Sequence, residues 1–485
     1  MEQVCMKSIP NINRQDKVRM LSKYGWYSTV AVLITVCLNT LVLAQPHDAD
    51  RHVVVISIDG FAARLVNDPR VPLPTIRRLV KEGCVIEGGM TVSDPSVTWP
   101  NHTTLVTGMK PGRHGVLANG VLVRGGIGVP VKIDSHRDQS DLVKVPTVVD
   151  VAHAAGLRTA EVNWPCTRNS QSFDDQFPDV PNALDYTTPR LRTELIEKGF
   201  LRDETHASFR KASVVGLDYV WTEAACHLIR ERKPHLMLVH LLNNDATHHR
   251  RGAQSQDGYT ANAYADMCVS RILEAIDDAG IRESTTIILV ADHGFTLTPK
   301  AIRPNVLLRQ AGLLTVEGEK LKQAQVHVVP EGGVGYVYCT NPAKAPQDSA
   351  YAKKLLMGQE GVADVLLPDR FSEVGFPHPR EYPQAPDAIL VAKDGYGVSG
   401  AVTGDTLVAT YEEARTSLGS HGFLAKLEKM NAMCILSGAG IRSGVKLQGT
   451  DNTVVAPTIA KLLDLKYPYA DGKPLSDALS VSTRR

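Results

Sequence analysis

The stretch HVVVISIDG, residues 52–60, decides the fold. Its apolar part is nearly continuous and ends at Ile58, which fits a strand buried on both faces, as in a parallel sheet covered by helices. Asp59 and Gly60 follow at once, a carboxylate and a turn former at the strand's carboxyl end. Three similar runs lie far apart: LMLVHLL ending at Leu242, TIILV ending at Val290, and MCIL ending at Leu436. Helical i, i+3, i+4 stripes fall between them. Ile76, Leu79 and Val80 follow Pro74 and precede Gly83; Val148, Val151, Ala152 and Ala155 precede Gly156; Ile459, Leu462 and Leu463 follow Pro457. Strands alternating with helices predict a doubly wound α/β domain built on a mostly parallel sheet.

Residues 303–416 break this rhythm. They carry VHVVPEGGVGYVYC, AILVAKDGYGV and a proline-rich stretch from Phe376 to Pro386, strand-like pieces joined by glycine-rich turns. The expectation is a smaller α+β cap inserted into a catalytic domain formed by residues 50–302 and 417–480. No internal repeat or low-complexity block interrupts either part.

With 43% hydrophobic and 22% charged residues, the 485-residue chain has the composition of a soluble globular protein with a large core. Its formal charge of +1 gives no reason to expect bulk binding to nucleic acid or to an anionic membrane, so any phosphate chemistry must be local. The amino terminus differs in kind. Lys7, Arg14, Lys17, Arg19 and Lys23 precede an apolar run from Thr29 to Ala44, with small residues at Val42 and Ala44 just before Gln45. Residues 1–45 read as an export signal, with an uncleaved N-terminal anchor as the alternative; the run is short for a membrane span. Either places the catalytic mass outside the cytoplasm, in the periplasm if the cell is Gram-negative. Beyond Cys5 and Cys37 of this leader, six cysteines are scattered without CxxC or zinc-ribbon spacing. One or two disulfides could form among them, with no pairing assigned.

Ligands of open parallel sheets bind beyond the carboxyl ends of the strands. The first run delivers Asp59 there, the second NNDATHH with Asp245, His248 and His249, and the third ADHG with Asp292 and His293. Any one aspartate after a strand could be only a turn former. Their shared placement carries the argument, because converging carboxylates repel one another and are costly to bury unless a divalent cation sits among them. Aspartate and histidine ligands without cysteine suit zinc and could accept manganese. His421 lies between glycines in GSHG, which lets the ring approach a site closely, although a surface turn fits that stretch equally well.

A further stretch, TVSDPSVTWPNHTTLVTG at residues 91–108, reads as a helix with Pro100 at its first position and Gly108 at its stop. Thr98 then lies at the helix amino terminus, where free N–H groups favour an anion.

ISIDG, TWPNHTTLVTG, DATHH, ADHG and GSHG, in this order, resemble the type I phosphodiesterase and nucleotide pyrophosphatase branch of the alkaline phosphatase superfamily. PGRHGVLANG, residues 111–120, and TVVAPTIAKLLDL, residues 453–465, are similar to segments of that family too. The resemblance covers nearly all of the chain after the leader. It implies an alkaline phosphatase-like core and two zinc ions, one held by Asp59, Thr98, Asp292 and His293, the other by Asp245, His249 and His421. It further implies that Thr98 attacks phosphorus in line to form a phosphothreonine, and that Asn119 donates to a phosphoryl oxygen. The activity to expect is hydrolysis of phosphodiester or phosphoanhydride bonds in a small phosphate ester by an exported two-metal enzyme. Trp99 could present a flat surface to a nucleobase, with packing beneath the loop an equal reading. His102 and His114 are expected to make structural hydrogen bonds.

This chain departs from the family at His248, where glycine is usual; the four-residue step from Asp245 favours His249 as the ligand. Ala253 stands for a typical proline, and Cys166 in NWPC for a glycine. These changes bear on specificity more than on chemistry. A phosphonate or phosphomonoester hydrolase with the same metal cradle is the alternative reading, and a non-catalytic exported metal-binding protein is the alternative of another class. No arginine adjoins the nucleophile to clamp a dianionic phosphate, which favours diesters. No Cys-x-Pro-x-Arg or Ser-x-Pro-x-Arg motif supports a sulfatase. Nothing in the sequence indicates an oligomeric state.

Overall fold

His52–Ile58 is a strand with every residue buried. In the computed structural model, which describes residues 51–202, 209 and 211–480, it lies inside an eight-stranded sheet. The order across that sheet is Val445–Leu447, Cys84–Ile86, Cys434–Gly438, Thr285–Val290, His52–Ile58, Leu236–Leu241, Thr159–Pro165 and Asp175–Asp179. The expected export signal at residues 1–45 lies outside the described residues. Among those described, no helix is long and apolar enough to cross a membrane.

His52–Ile58 pairs in parallel with Leu236–Leu241 on one side and Thr285–Val290 on the other. Ser57 is level with both His240 and Val290, so the three chains leave the sheet at one edge. Asp59, Asp245 and Asp292 are thereby delivered together, which is the switch-point geometry of a doubly wound sheet.

Two features differ from the sequence reading. Cys434–Gly438 is apolar and central, as expected, but runs antiparallel to both of its neighbours. Burial on two faces is what an apolar run reports; strand direction is not encoded in it. Thr159–Pro165 is a fully buried strand although Glu161 and Asn163 interrupt its hydropathy.

The helices follow the expected stripes at Pro74–Glu82, Val148–Ala154 and Val455–Leu462. Thr147 and Asp150 close a capping box on the second, whereas the third starts before Pro457 rather than at it. Thr98–Thr107 is a helix buried along its whole length and stopped by Gly108 at φ +65°. It opens on Thr98, with Val97 as cap, so Pro100 is its third residue and not its first. The substitution is free because the first-turn N–H groups have no acceptor within a helix.

Within residues 303–416, Val326–Glu331, Val334–Cys339, Ala388–Ala392 and Val362–Leu366 form a four-stranded antiparallel sheet backed by the Ala345–Leu356 helix. One face, with Val326, Val337 and Leu390, joins the main core. Tyr336, Tyr338 and Ile389 pack instead with Leu117, Ala118 and Leu122. All six cysteines in the described residues are buried free thiols.

Candidate active site

Each expected ligand arrives on rigid backbone. Asp59 follows the first strand and is 1% exposed; Asp292 and His293 follow the Thr285–Val290 strand and are fully buried. Asp245 and His249 project from the first turns of the Asn243–Arg251 helix. His421 follows the two-residue strand Gly419–Ser420, which pairs with Thr296–Leu297 and so ties the returning chain to the ADHG loop. Gly422 is required beside it: at φ +75°, a Cβ there would lie 1.8 Å from the Glu331 carbonyl oxygen.

These side chains form two adjoining groups. The ligand atoms of Asp59, Asp292 and His293 lie within 4.8 Å of one another, and so do those of Asp245, His293 and His421. His293 thus faces both groups instead of one. His293 Nε2 is 3.4 Å from Asp59 Oδ1 and 3.1 Å from Asp292 Oδ2. Around Asp245 Oδ1, His249 Nε2 stands at 3.4 Å and His421 Nε2 at 3.7 Å. Both histidines of the adjacent pair are edge-on to Phe295, and it is His249 whose Nε2 meets Asp245, while His248 is fully buried.

The hydrogen bonds behind the imidazoles settle their tautomers. His293 Nδ1 donates to Gly294 O, His249 Nδ1 to Gly419 O at 2.9 Å, and His421 Nδ1 to Ser96 O at 2.7 Å. Carbonyl oxygens only accept, so the Nε2 atoms of the neutral rings carry lone pairs. Those lone pairs look at Asp59 Oδ1, Asp292 Oδ2 and Asp245 Oδ1, three buried carboxylate oxygens without a hydrogen-bond partner. Acceptors aimed at acceptors repel unless a cation lies between them. Burial, and then the Asp245 carboxylate, pushes the Asp59 carboxyl well above its ordinary range. Burial and then Asp59 do the same to Asp292. Burial also drives His421 down to about 4 and His293 well below its usual value. The donor set, its tautomers and its orphaned oxygens therefore fit divalent metal ions, with oxygen and nitrogen donors that suit zinc.

Thr98 heads its helix with its hydroxyl 3.4 Å from His293 Nε2, at the rim of the first group. His102, one turn on, bonds Thr98 O through Nδ1 and Ser57 Oγ through Nε2. Trp99 N donates to Asn119 Oδ1 at 2.9 Å, so the Asn119 side chain is held through its oxygen by the backbone next to Thr98. The Trp99 ring is 6% exposed and packs with Val116, Leu142 and Cys166, so little of its face is open to a nucleobase.

His240 escaped sequence reading. It is buried within the Leu236–Leu241 strand, with Nε2 3.0 Å from Asp59 Oδ2. Asn163, at φ +59° on the neighbouring strand, meets its Nδ1 through its carbonyl oxygen at 2.9 Å. The available signal was an imidazole inside an otherwise apolar run. Asn244 adds a bond from Nδ2 to Asp59 O.

A family model described as type I phosphodiesterase / nucleotide pyrophosphatase matches residues 53–424. A bis(5'-adenosyl)-triphosphatase of Xenopus laevis is 22% identical over 462 residues, 94% of this chain and 86% of that protein. Mouse ectonucleotide pyrophosphatase/phosphodiesterase family member 1 is 22% identical over 242 residues, and the match spans 24% of its length. The chain thus covers about a quarter of that much longer relative. Among solved structures, murine ectonucleotide pyrophosphatase/phosphodiesterase 5, as an inactive threonine-to-alanine variant in complex with AMP, superposes with a TM-score of 0.66 at 18% identity. That match covers 89% of this chain and all of the other, and it shows a shared fold. Since the family model runs unbroken from the first strand past His421, the chain belongs to the type I phosphodiesterase / nucleotide pyrophosphatase family.

Proposed function

We propose that this protein is an exported, metal-dependent hydrolase of phosphodiester or phosphoanhydride bonds in small nucleotide-like esters, acting through a phosphothreonine at Thr98. One observation carries the reading: three buried, unpartnered carboxylate oxygens face three imidazole lone pairs, and one of those imidazoles, His293, lies 3.4 Å from the Thr98 hydroxyl. Asp59, Asp292 and His293 with Thr98 would hold one cation, and Asp245, His249 and His421 the other, with zinc as the expected metal and manganese a substitute. Bound there, divalent ions would make the alcohol acidic and offset the charge that builds on the phosphoryl group.

The residues of the chain then have distinct tasks. Thr98 Oγ forms a bond to phosphorus as the bond to the leaving oxygen breaks, and water later cleaves the phosphothreonine to release a monoester. Opening the helix, the Thr98 N–H has no intrahelical acceptor and points its dipole toward the developing charge. Asn119 adds the N–H groups of its amide, oriented by the bond from Trp99 N. Residues 303–416 serve as the cap over this core. The AMP complex of the murine structural relative and the dinucleoside triphosphate named for the Xenopus relative support a nucleotide as the small-molecule substrate.

The test is a comparison of nitrophenyl esters. Zinc-loaded protein is expected to hydrolyse the nitrophenyl ester of a nucleoside monophosphate faster than nitrophenyl phosphate, and Thr98→Ala to abolish turnover while retaining metal. The opposite preference points to a monoesterase, and loss of metal together with fold in Thr98→Ala would reduce Thr98 to a structural role.

A further inference from the structure

Asn119 sits at the apex of a tight turn closed by a bond from Gly120 N to Ala118 O at 2.8 Å, exposed between two buried neighbours. A short hairpin follows, Val121–Val123 against Lys132–Asp134. From the core side the segment is braced by His114, whose Nδ1 accepts from Val116 N at 3.2 Å. Trp99 N holds the Asn119 side chain from the same side, and three further polar anchors come from residues 303–416. Tyr336, fully buried, donates its hydroxyl to Leu117 O at 2.6 Å, two residues before Asn119. Tyr382 donates to Gly115 O at 2.6 Å, and Gln384 Oε1 accepts from Leu122 N at 3.0 Å. Gln384 is itself held, its carbonyl accepting from Tyr338 and its amide donating to the Tyr382 hydroxyl at 3.1 Å.

From these bonds we infer that the cap sets the position of Asn119, with Tyr336 as the chief positioning residue for the phosphoryl-transfer step and Tyr382 and Gln384 as its auxiliaries. The inference rests on the proposed role of Asn119. Tyr336 can do this because its strand, Val334–Cys339, is paired on both sides, to Val326–Glu331 and Ala388–Ala392. The ring is clamped among Leu117, Phe376 and their neighbours. A phenol fixed at both ends cannot follow a wandering loop, so the Leu117 carbonyl must come to it. An oxyanion donor needs that fixity, since its contribution depends on sub-ångström placement before the charge develops.

Tyr336→Phe removes one oxygen and keeps the ring. Expected is a fall in kcat of about 10–100-fold with KM little changed, the scale of a small misplacement near the reacting atoms. Asn119→Ala is expected to cost about 100-fold or more. The double variant should be no slower than Asn119→Ala alone, because a displaced donor and an absent donor fail in the same way; independent losses would multiply and overturn the inference. Hydrogen exchange supplies a readout apart from activity. The amides of residues 115–123 should exchange faster in Tyr336→Phe while those of 52–60 stay unchanged, and equal protection in both proteins would also overturn it. Should Tyr336→Phe fail to fold, Gln384→Ala is read by the same cycle and the same exchange. Wild-type turnover in Asn119→Ala would instead defeat the role given to Asn119, leaving the cap's hold on the loop to be judged by exchange.

Discussion

His293 Nε2 and Asp59 Oδ1 confront each other across 3.4 Å, both as acceptors, because His293 Nδ1 is committed to the Gly294 carbonyl. The pair is buried, with side chains 0% and 1% exposed. A divalent cation between the two would relieve such an opposition, and on the proposed reading the fold's stability then depends on the cation as much as its chemistry does.

Chelation should therefore destabilise the protein and not only silence it. Binding to the folded state alone stabilises by about 4 kcal/mol when free ion exceeds its dissociation constant by about 1,000-fold. Treatment with a strong chelator is expected to lower the melting temperature by several degrees, and stoichiometric zinc to restore it. An unchanged melting curve after verified metal removal would mean that the carboxylate cluster is held by protons alone.

His240 should behave as a determinant of metal affinity. His240→Leu leaves Asp59 Oδ2 without the imidazole 3.0 Å away and frees the carboxylate to rotate. Loss of such a supporting partner typically weakens metal binding about 10–100-fold. Zinc titration against a competing chelator measures this directly, and His240→Gln, whose side-chain amide can donate to Asp59, is expected to recover part of the loss.

Much of this site was legible because of the strand-end rule. Asp59, Asp245 and Asp292 each follow an apolar run, and the carboxyl ends of parallel strands in one sheet share an edge whatever lies between them. His240 was not legible by that route, since it lies inside a run and hydropathy averages over it. The antiparallel course of Cys434–Gly438 and the strand at Thr159–Pro165 escaped for related reasons: periodicity reports burial, not direction, and Glu161 and Asn163 mask the second strand. Shared facing of His293 toward both groups depends on ring tautomer and rotamer, which Gly294 and the helix at Thr98 determine in space. The bond from Tyr336 to Leu117 joins residues 219 positions apart, a separation at which no local pattern speaks.

Gly422 links backbone geometry to the second group of candidate ligands. A methyl group at this position would strike the Glu331 carbonyl oxygen and demand a left-handed backbone from an L-residue, a conformation costing about 1–3 kcal/mol. Gly422→Ala is expected to displace His421, reduce bound zinc to about one ion of the proposed two, and lower thermal stability by that order. Full metal content at wild-type stability would show that the His421 loop can relax and that its register against Glu331 is not what places the ligand.

Stability should also fall as pH rises, through a residue outside the two candidate ligand groups. Glu161 is fully buried, with Oε2 accepting from Trp164 N at 3.0 Å and Oε1 unpartnered, and burial pushes its carboxyl up to about 8. In the unfolded chain the same group titrates near about 4.3. Below that value both states hold the proton and Glu161 costs nothing. Between the two values the folded state binds more protons than the unfolded one, so stability drops with each pH step and levels off once the folded group also ionises, a total of order a few kcal/mol. Glu161→Gln keeps an acceptor for Trp164 N without the charge, and should flatten this slope between about pH 5 and 8 and raise the melting temperature most at the alkaline end. Parallel wild-type and Glu161→Gln curves of melting temperature against pH would show that Glu161 is ionised and solvated in the folded protein.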